Sequence, residues 1–167
     1  MISNQLPLTT FYQGWDVYQR RLVTAITPLS AEQLALRTAP HMWSAGMLGT
    51  HIVATRVGWF HEWLGEGSDE LAPLARWDED GQPARSVAEL VSGLESTWQM
   101  IEAALLHWTP ADLSETFQSP YPPEEPGKAV HTHSRQWIIW HLLEHDLHHG
   151  GELSLILGMH GLTGLDL

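Results

Sequence analysis

The chain contains no cysteine. Disulfides, a thiolate nucleophile and sulfur-ligated zinc are thereby excluded, and any soft-metal chemistry must use histidine and carboxylate ligands. Basic residues are scarce, with 8 Lys and Arg against 20 Asp and Glu and a formal charge of −12. With no basic stripe to neutralise phosphates, this balance argues against a nucleic-acid partner. The acidic residues are scattered over presumed helix surfaces and read as a solvated face. No run is apolar for long enough to span a bilayer, and the start, Met1 to Pro7, lacks a basic segment followed by an apolar one. No membrane partner is expected, and a cytoplasmic location is the default. Gly-x-Gly-x-x-Gly, Walker, Gly-x-Ser-x-Gly, His-Glu-x-x-His and Glu-x-x-His patterns are all missing.

What remains is apolar, aromatic and rich in histidine. At 167 residues, 43% of them hydrophobic and 9 of them Trp, the chain suits one packed domain over 1–167. Four long helical segments are expected. The first runs from about Thr9 to Ile26, with Phe11, Trp15, Tyr18, Leu22 and Ile26 at helical spacing and Pro28 beyond its end. The second starts near Ser44 and continues to about Leu64, before Gly65 and Gly67. The third opens with the capping box Ser86-Val-Ala-Glu89 and closes at Thr109-Pro110. The fourth begins at Thr132 to Ser134 and ends at Gly158. Residues 65–85 read as a long exposed loop, and the proline-rich 119–127 as an extended crossover. No stretch alternates with period two, so the fold class is all-α: a four-helix bundle with long crossover loops and no sheet. Trp15, Trp59, Trp98 and Trp137 fall at core-facing positions, whereas Trp63, Trp77 and Trp140 suit either a substrate pocket or a dimer contact.

Four histidines crowd into nine residues: His141, His145, His148 and His149. His141, His145 and His149 repeat every fourth residue and form one stripe on a helix. With 11 His in 167 residues, about 0.7 such i,i+4 pairs arise by chance, and two that share a residue exceed this. The stripe is flanked by Trp137, Ile138, Leu142, Leu153 and Ile156 and faces inward. Buried imidazoles without partners cost about 1–3 kcal/mol each, and one shared metal ion relieves that cost. Either pair, 141/145 or 145/149, supplies two ligands. A further ligand must come from elsewhere, and His51, in an apolar part of the second helix, is the leading candidate. His41, His61, His107, His131, His133 and His160 read as surface or capping residues.

The run from His141 to Leu157 resembles the last-helix signature of the DinB superfamily, His-x-x-x-His-x-x-His-His-x-Gly-Gln. Trp43-Ser44 leading to His51 is similar to that family's second-helix element, and the helix layout matches over nearly the whole chain. The resemblance implies a four-helix bundle with a mononuclear site in which His51, His145 and His149 hold zinc or nickel. His141 then neighbours the site. Gly150-Gly151-Glu152 stands where the family often has Arg-Gly-Gln, so Glu152 adds a carboxylate near the ligands and no role can rest on that arginine. Enzymes of the superfamily include S-transferases and isomerases that use low-molecular-weight thiols. The resemblance therefore implies a divalent-metal enzyme with a small-molecule substrate and a small-thiol cosubstrate, in an open three-histidine site. The other readings are a non-catalytic metal-binding protein and a stress-associated interaction domain. Homodimerisation is expected from the apolar and aromatic helix faces. Glu144, Asp146, Glu152 or backbone carbonyls are the candidate acceptors for the outer ring nitrogens.

Overall fold

Three serines start the helices that matter most. In the computed structural model, which describes residues 6–123 and 127–166, Ser44, Ser86 and Ser134 have extended backbone and cap the helices that follow. The Met47 N–H donates to Ser44 Oγ at 3.2 Å and the Trp137 N–H to Ser134 Oγ at 3.2 Å. Ser86 and Glu89 form the expected box: the Ser86 N–H donates to Glu89 Oε2 at 2.8 Å, and the Glu89 N–H donates back to Ser86 Oγ at 3.3 Å. Each cap satisfies a backbone donor that the helix leaves orphaned and contributes about 1 kcal/mol.

The helices are α1 (Gln13–Ile26), the one-turn α2 (Ala31–Leu34), α3 (Ala45–Arg56), α4 (Val87–His107) and α5 (Arg135–Met159). The four long ones make the expected bundle, with α3 against both α4 and α5 and α1 against α4. One apolar cluster gathers Leu22, Ile26, Leu48, Ile52, Leu90 and Leu157. A second gathers Trp15, Phe60, Trp98, Ile101, Leu105 and Ile138. Between these groups along each helix lie Gln19, Arg56, Thr97 and Asp146, one polar residue from each long helix, all buried. Arg56 Nη2 donates to Asp146 Oδ2 at 2.7 Å, Arg56 Nη1 to Gln19 Oε1 at 2.7 Å, and Trp15 Nε1 to Asp146 Oδ2 at 2.7 Å. The charges are paired and hydrogen-bonded, the condition under which burial is tolerated. Gly150 lets α1 approach α5: a Cβ there would stand 2.2 Å from the Tyr18 hydroxyl, which donates to the Leu147 carbonyl at 3.2 Å.

Several expectations need correction. The first helix starts at Gln13, after a 3₁₀ turn at Leu8–Thr10, which leaves Phe11 62% exposed outside the core. The second helix reaches Trp63, but its last seven residues, Val57–Trp63, wind as a π-helix. The 65–85 connection contains a 3₁₀ stretch, Asp69–Arg76. The expectation of no sheet fails at one place, where β1 (Thr116–Gln118) pairs antiparallel with β2 (Thr132–Ser134). Three residues per strand are too few to display a period of two, and the ribbon clasps the two ends of the proline-rich crossover. Residues 124–126 of that crossover lie outside the described residues; 119–123 are neither helix nor strand, as expected. Trp15 and Trp98 are buried, Trp59 is half-buried, and Trp137 is 39% exposed rather than core. Among the described residues no helix is long and apolar enough to cross a membrane.

Candidate metal centre

α3 and α5 pack side by side, and the site lies between them. α3 carries His51 one and a half turns before the π segment, and α5 carries His145 and His149 one turn apart. The three side chains each offer one ligand atom within 4.8 Å of the others, all partly buried. His145 Nε2 lies 3.0 Å from His51 Nε2, and the ring centroids of His51 and His149 are 4.9 Å apart. The structure thus brings together His51, His145 and His149. It does not bring His141 with them. That ring stacks on Trp137 at 4.8 Å and meets the edge of Trp59 at 4.9 Å, within an aromatic group that also holds Trp63 and His133. The π segment supplies Trp59 and Trp63, stacked at 4.3 Å; Trp59 meets Trp137 and His141 of α5, and Trp63 faces the β-ribbon, where its Nε1 donates to the Phe117 carbonyl at 3.3 Å.

Carboxylates orient two of the three rings. His51 Nδ1 lies 2.7 Å from Asp78 Oδ2, and His149 Nδ1 lies 2.7 Å from Glu152 Oε2. An ionised carboxylate only accepts, so both rings carry their proton on Nδ1 and leave Nε2 as the free lone pair. His145 has no such support: its Nδ1 is buried and unpartnered among the described residues. Burial, then the neighbouring His149 and His51, pushes the His145 pKa down to about 3. Burial also lowers that of His149, against the opposing Glu152 carboxylate. Three imidazoles with converging nitrogens and no carboxylate among them form a donor set suited to zinc or nickel. Without an ion, two Nε2 atoms 3.0 Å apart must share one proton, which leaves His145 Nδ1 as a buried, unsatisfied acceptor. The residues present fit the metal that the sequence implies.

Of the three carboxylates expected to support the rings, Glu152 alone does so. Asp146 points away into the Arg56 network, and Glu144 is exposed. Asp78 was not foreseen. It sits in the 65–85 connection among Asp78-Glu79-Asp80, where nothing in the sequence separates one acidic residue from the next. Trp43 is the other addition: its ring meets His51 edge-on at 4.8 Å and lies tilted over His149 at 5.8 Å. His107 and His160 behave as expected of surface or capping groups, His107 Nδ1 donating to the Ala103 carbonyl at 2.9 Å and His160 Nε2 to that of Arg37 at 3.1 Å, whereas His133 is half-buried and stacks on Trp137 at 3.6 Å.

Comparison with known proteins agrees with this architecture. A crystal structure of a DinB-like protein from Bacillus cereus ATCC 10987 superimposes with a TM-score of 0.70 at 20% sequence identity, covering 98% of this chain and 99% of that one. At that identity the likeness establishes the fold alone. No curated protein matches. The family model of the DinB superfamily matches residues 15–153, from the buried tryptophan of α1 past His145, His149 and Glu152 of α5. The chain belongs to the DinB superfamily.

Proposed function

We propose that His51, His145 and His149 bind one divalent ion, zinc or nickel, with a fourth position open to solvent or substrate, and that the protein is a metal-dependent enzyme of the thiol S-transferase type. The observation that carries this reading is the convergence of three imidazoles, two of them fixed by carboxylates so that Nε2 is free to ligate. When bound, the ion supplies Lewis acidity that lowers the pKa of a thiol or water beside it. The chain's own part is to position and insulate. Asp78 and Glu152 fix the tautomers of His51 and His149, burial keeps His145 neutral, and Trp43 shields two of the rings. Because the sequence has no cysteine, the sulfur must come from a small-thiol cosubstrate. In such a transfer the thiol sulfur bonds to an electrophilic carbon, the displaced group leaves with its electron pair, and the thiol proton passes to water.

A purely structural ion is the second reading, favoured by the position of the ligands on two packed helices, α3 and α5, which an ion would tie together. An exchangeable water on the ion separates the readings, since a structural site fills all four positions with protein ligands. The test of both is elemental analysis of untagged protein. One ion per chain is expected, lost in His51→Ala and His149→Ala and kept in His141→Ala and His148→Ala. Full occupancy in the first pair with loss in His141→Ala would overturn the ligand assignment.

A further inference from the structure

A cavity of about 290 Å³ adjoins the three-histidine site. Met42, Trp43, Leu48, Leu155 and Ile156 give it apolar walls, and His149 and Glu152 close it on the side of the site. Trp43 belongs to both: one indole lines the cavity and lies against the His51 and His149 rings. Thr38 and His41 complete the lining, and no Lys or Arg is among it. The nearby Arg37 is engaged with the Met42 carbonyl and, at 3.5 Å, with the Met47 sulfur. In the body of the cavity an anionic molecule would meet the Glu152 carboxylate and no lining Lys or Arg, so a charged group finds a partner only at the His149 end, where the ion would sit. An apolar molecule would instead remove Trp43, Leu48 and Ile156 surface from water, which is favourable in proportion to the area covered.

We propose that this cavity is the acceptor pocket of the site and takes the uncharged, apolar body of a small molecule. The inference rests on the metal reading above, because His149 is what makes the cavity a reaction pocket. Its size sets the class of ligand. A cavity of about 150 Å³ lined by aliphatic and aromatic side chains holds benzene. The present one therefore admits a substituted ring or a branched aliphatic chain, placed with one end at His149 and Glu152 and the rest between Trp43 and Leu155. Between Trp43 and Leu155 a sugar, a phosphate ester or the far end of a dicarboxylate finds few polar side chains and no Lys or Arg.

The test uses methyl-labelled protein titrated with benzyl alcohol and, separately, with glutarate, a dianion of similar length. Benzyl alcohol is expected to shift the methyl resonances of Leu48, Leu155 and Ile156 and the indole of Trp43, while glutarate leaves them in place. Leu155→Asp, at a position 58% exposed and so tolerant of change, should weaken benzyl alcohol at least fivefold. The inference is overturned if glutarate saturates the same shifts at an equal or lower concentration, if benzyl alcohol leaves them unmoved, or if Leu155→Asp binds it as well as the parent. Ion content of the same sample is measured by elemental analysis. One ion per chain with unmoved methyls overturns the pocket alone; a metal-free sample whose methyls shift overturns the metal reading alone.

Discussion

The indole of Trp77 lies so close to Gly93 of α4 that a Cβ there would stand 2.9 Å from its Cζ3 atom and 3.1 Å from Val53 Cγ1. The Arg85 guanidinium covers the same indole at 4.8 Å. This seat fixes the chain next to Asp78, the residue that orients His51 from 27 positions away in sequence. Gly93→Ala should therefore push Trp77 outward, draw Asp78 from His51 and weaken metal binding about tenfold, at the lower end of what loss of such support costs. Gly151→Ala is the control. Nothing lies within 4 Å of a Cβ at Gly151, so that variant should gain about 0.5–1 kcal/mol of stability from helix propensity and keep its metal affinity. Competition with a chromophoric chelator reads both; equal affinities would remove the link from Gly93 to the site.

Asp78→Asn tests the carboxylate itself. The amide keeps the shape but no longer obliges His51 to carry its proton on Nδ1, so the Nε2 lone pair is no longer guaranteed. Metal affinity should fall about 10–100-fold, with little change in the thermal midpoint of the metal-free protein, because Asp78 is exposed. An unchanged dissociation constant would show that Asp78 does not support the ligand.

These two residues mark where the sequence stopped being readable. The caps at Ser44, Ser86 and Ser134, and the 3.6-residue periodicity behind them, are local signals, and the helices they start appear where expected. The histidine stripe was equally visible, being one helix face. Its partner pair was not separable by spacing: His141 and His149 are equivalent from His145, and only the aromatic group around Trp59 and Trp137 takes His141 away. Asp78 depends on a glycine in another helix that accepts an indole from the loop, a contact with no sequence period. Asp146 is a candidate acceptor in the sequence, yet it stands one step from His145, and one step along a helix turns a side chain by about 100°. That step carries it into the core.

The buried pair of Arg56 and Asp146 should dominate the effect of substitutions on stability. Both are fully buried, and Arg56 Nη2 meets Asp146 Oδ2 at 2.7 Å. Arg56→Met leaves a buried carboxylate without its counter-charge, at a cost of about 3–5 kcal/mol. Adding Asp146→Leu removes the orphan and should recover most of that loss, since apolar replacement of a buried pair is often neutral. Urea unfolding of the two single variants and the double variant reads the coupling. A double variant as unstable as the sum of the singles would show that the residues act separately.

The outer face of α5 carries Trp137, Trp140 and Leu147, which are 39%, 59% and 45% exposed. Large apolar side chains grouped on one helix face favour association. A homodimer through this face is the expected outcome, measured by light scattering at tens of micromolar, an order-of-magnitude concentration suited to a stable interface. Trp140→Glu should shift the protein to monomer. A parent protein that is already monomeric would remove the dimer.

Acid should unfold the metal-free protein earlier than its carboxylates alone would require. Burial lowers the His145 pKa from 6.5 to about 3, so the folded state resists a proton that the unfolded chain accepts. Between these two values the unfolded state binds more protons, and stability rises with pH and falls as the solution is acidified. His149 and His141, also lowered chiefly by burial, act in the same direction. The urea midpoint of metal-free protein should hence decline from about pH 6.5 downward, and His145→Gln should flatten that decline. With an ion bound, His145 keeps its neutral form by ligation, and the loaded protein should hold its midpoint further into acid until protons displace the ion. A midpoint that is flat from pH 6.5 to 4 in the metal-free protein would show that His145 is not buried in its neutral form. A decline that persists unchanged in His145→Gln would assign the acid sensitivity to other groups.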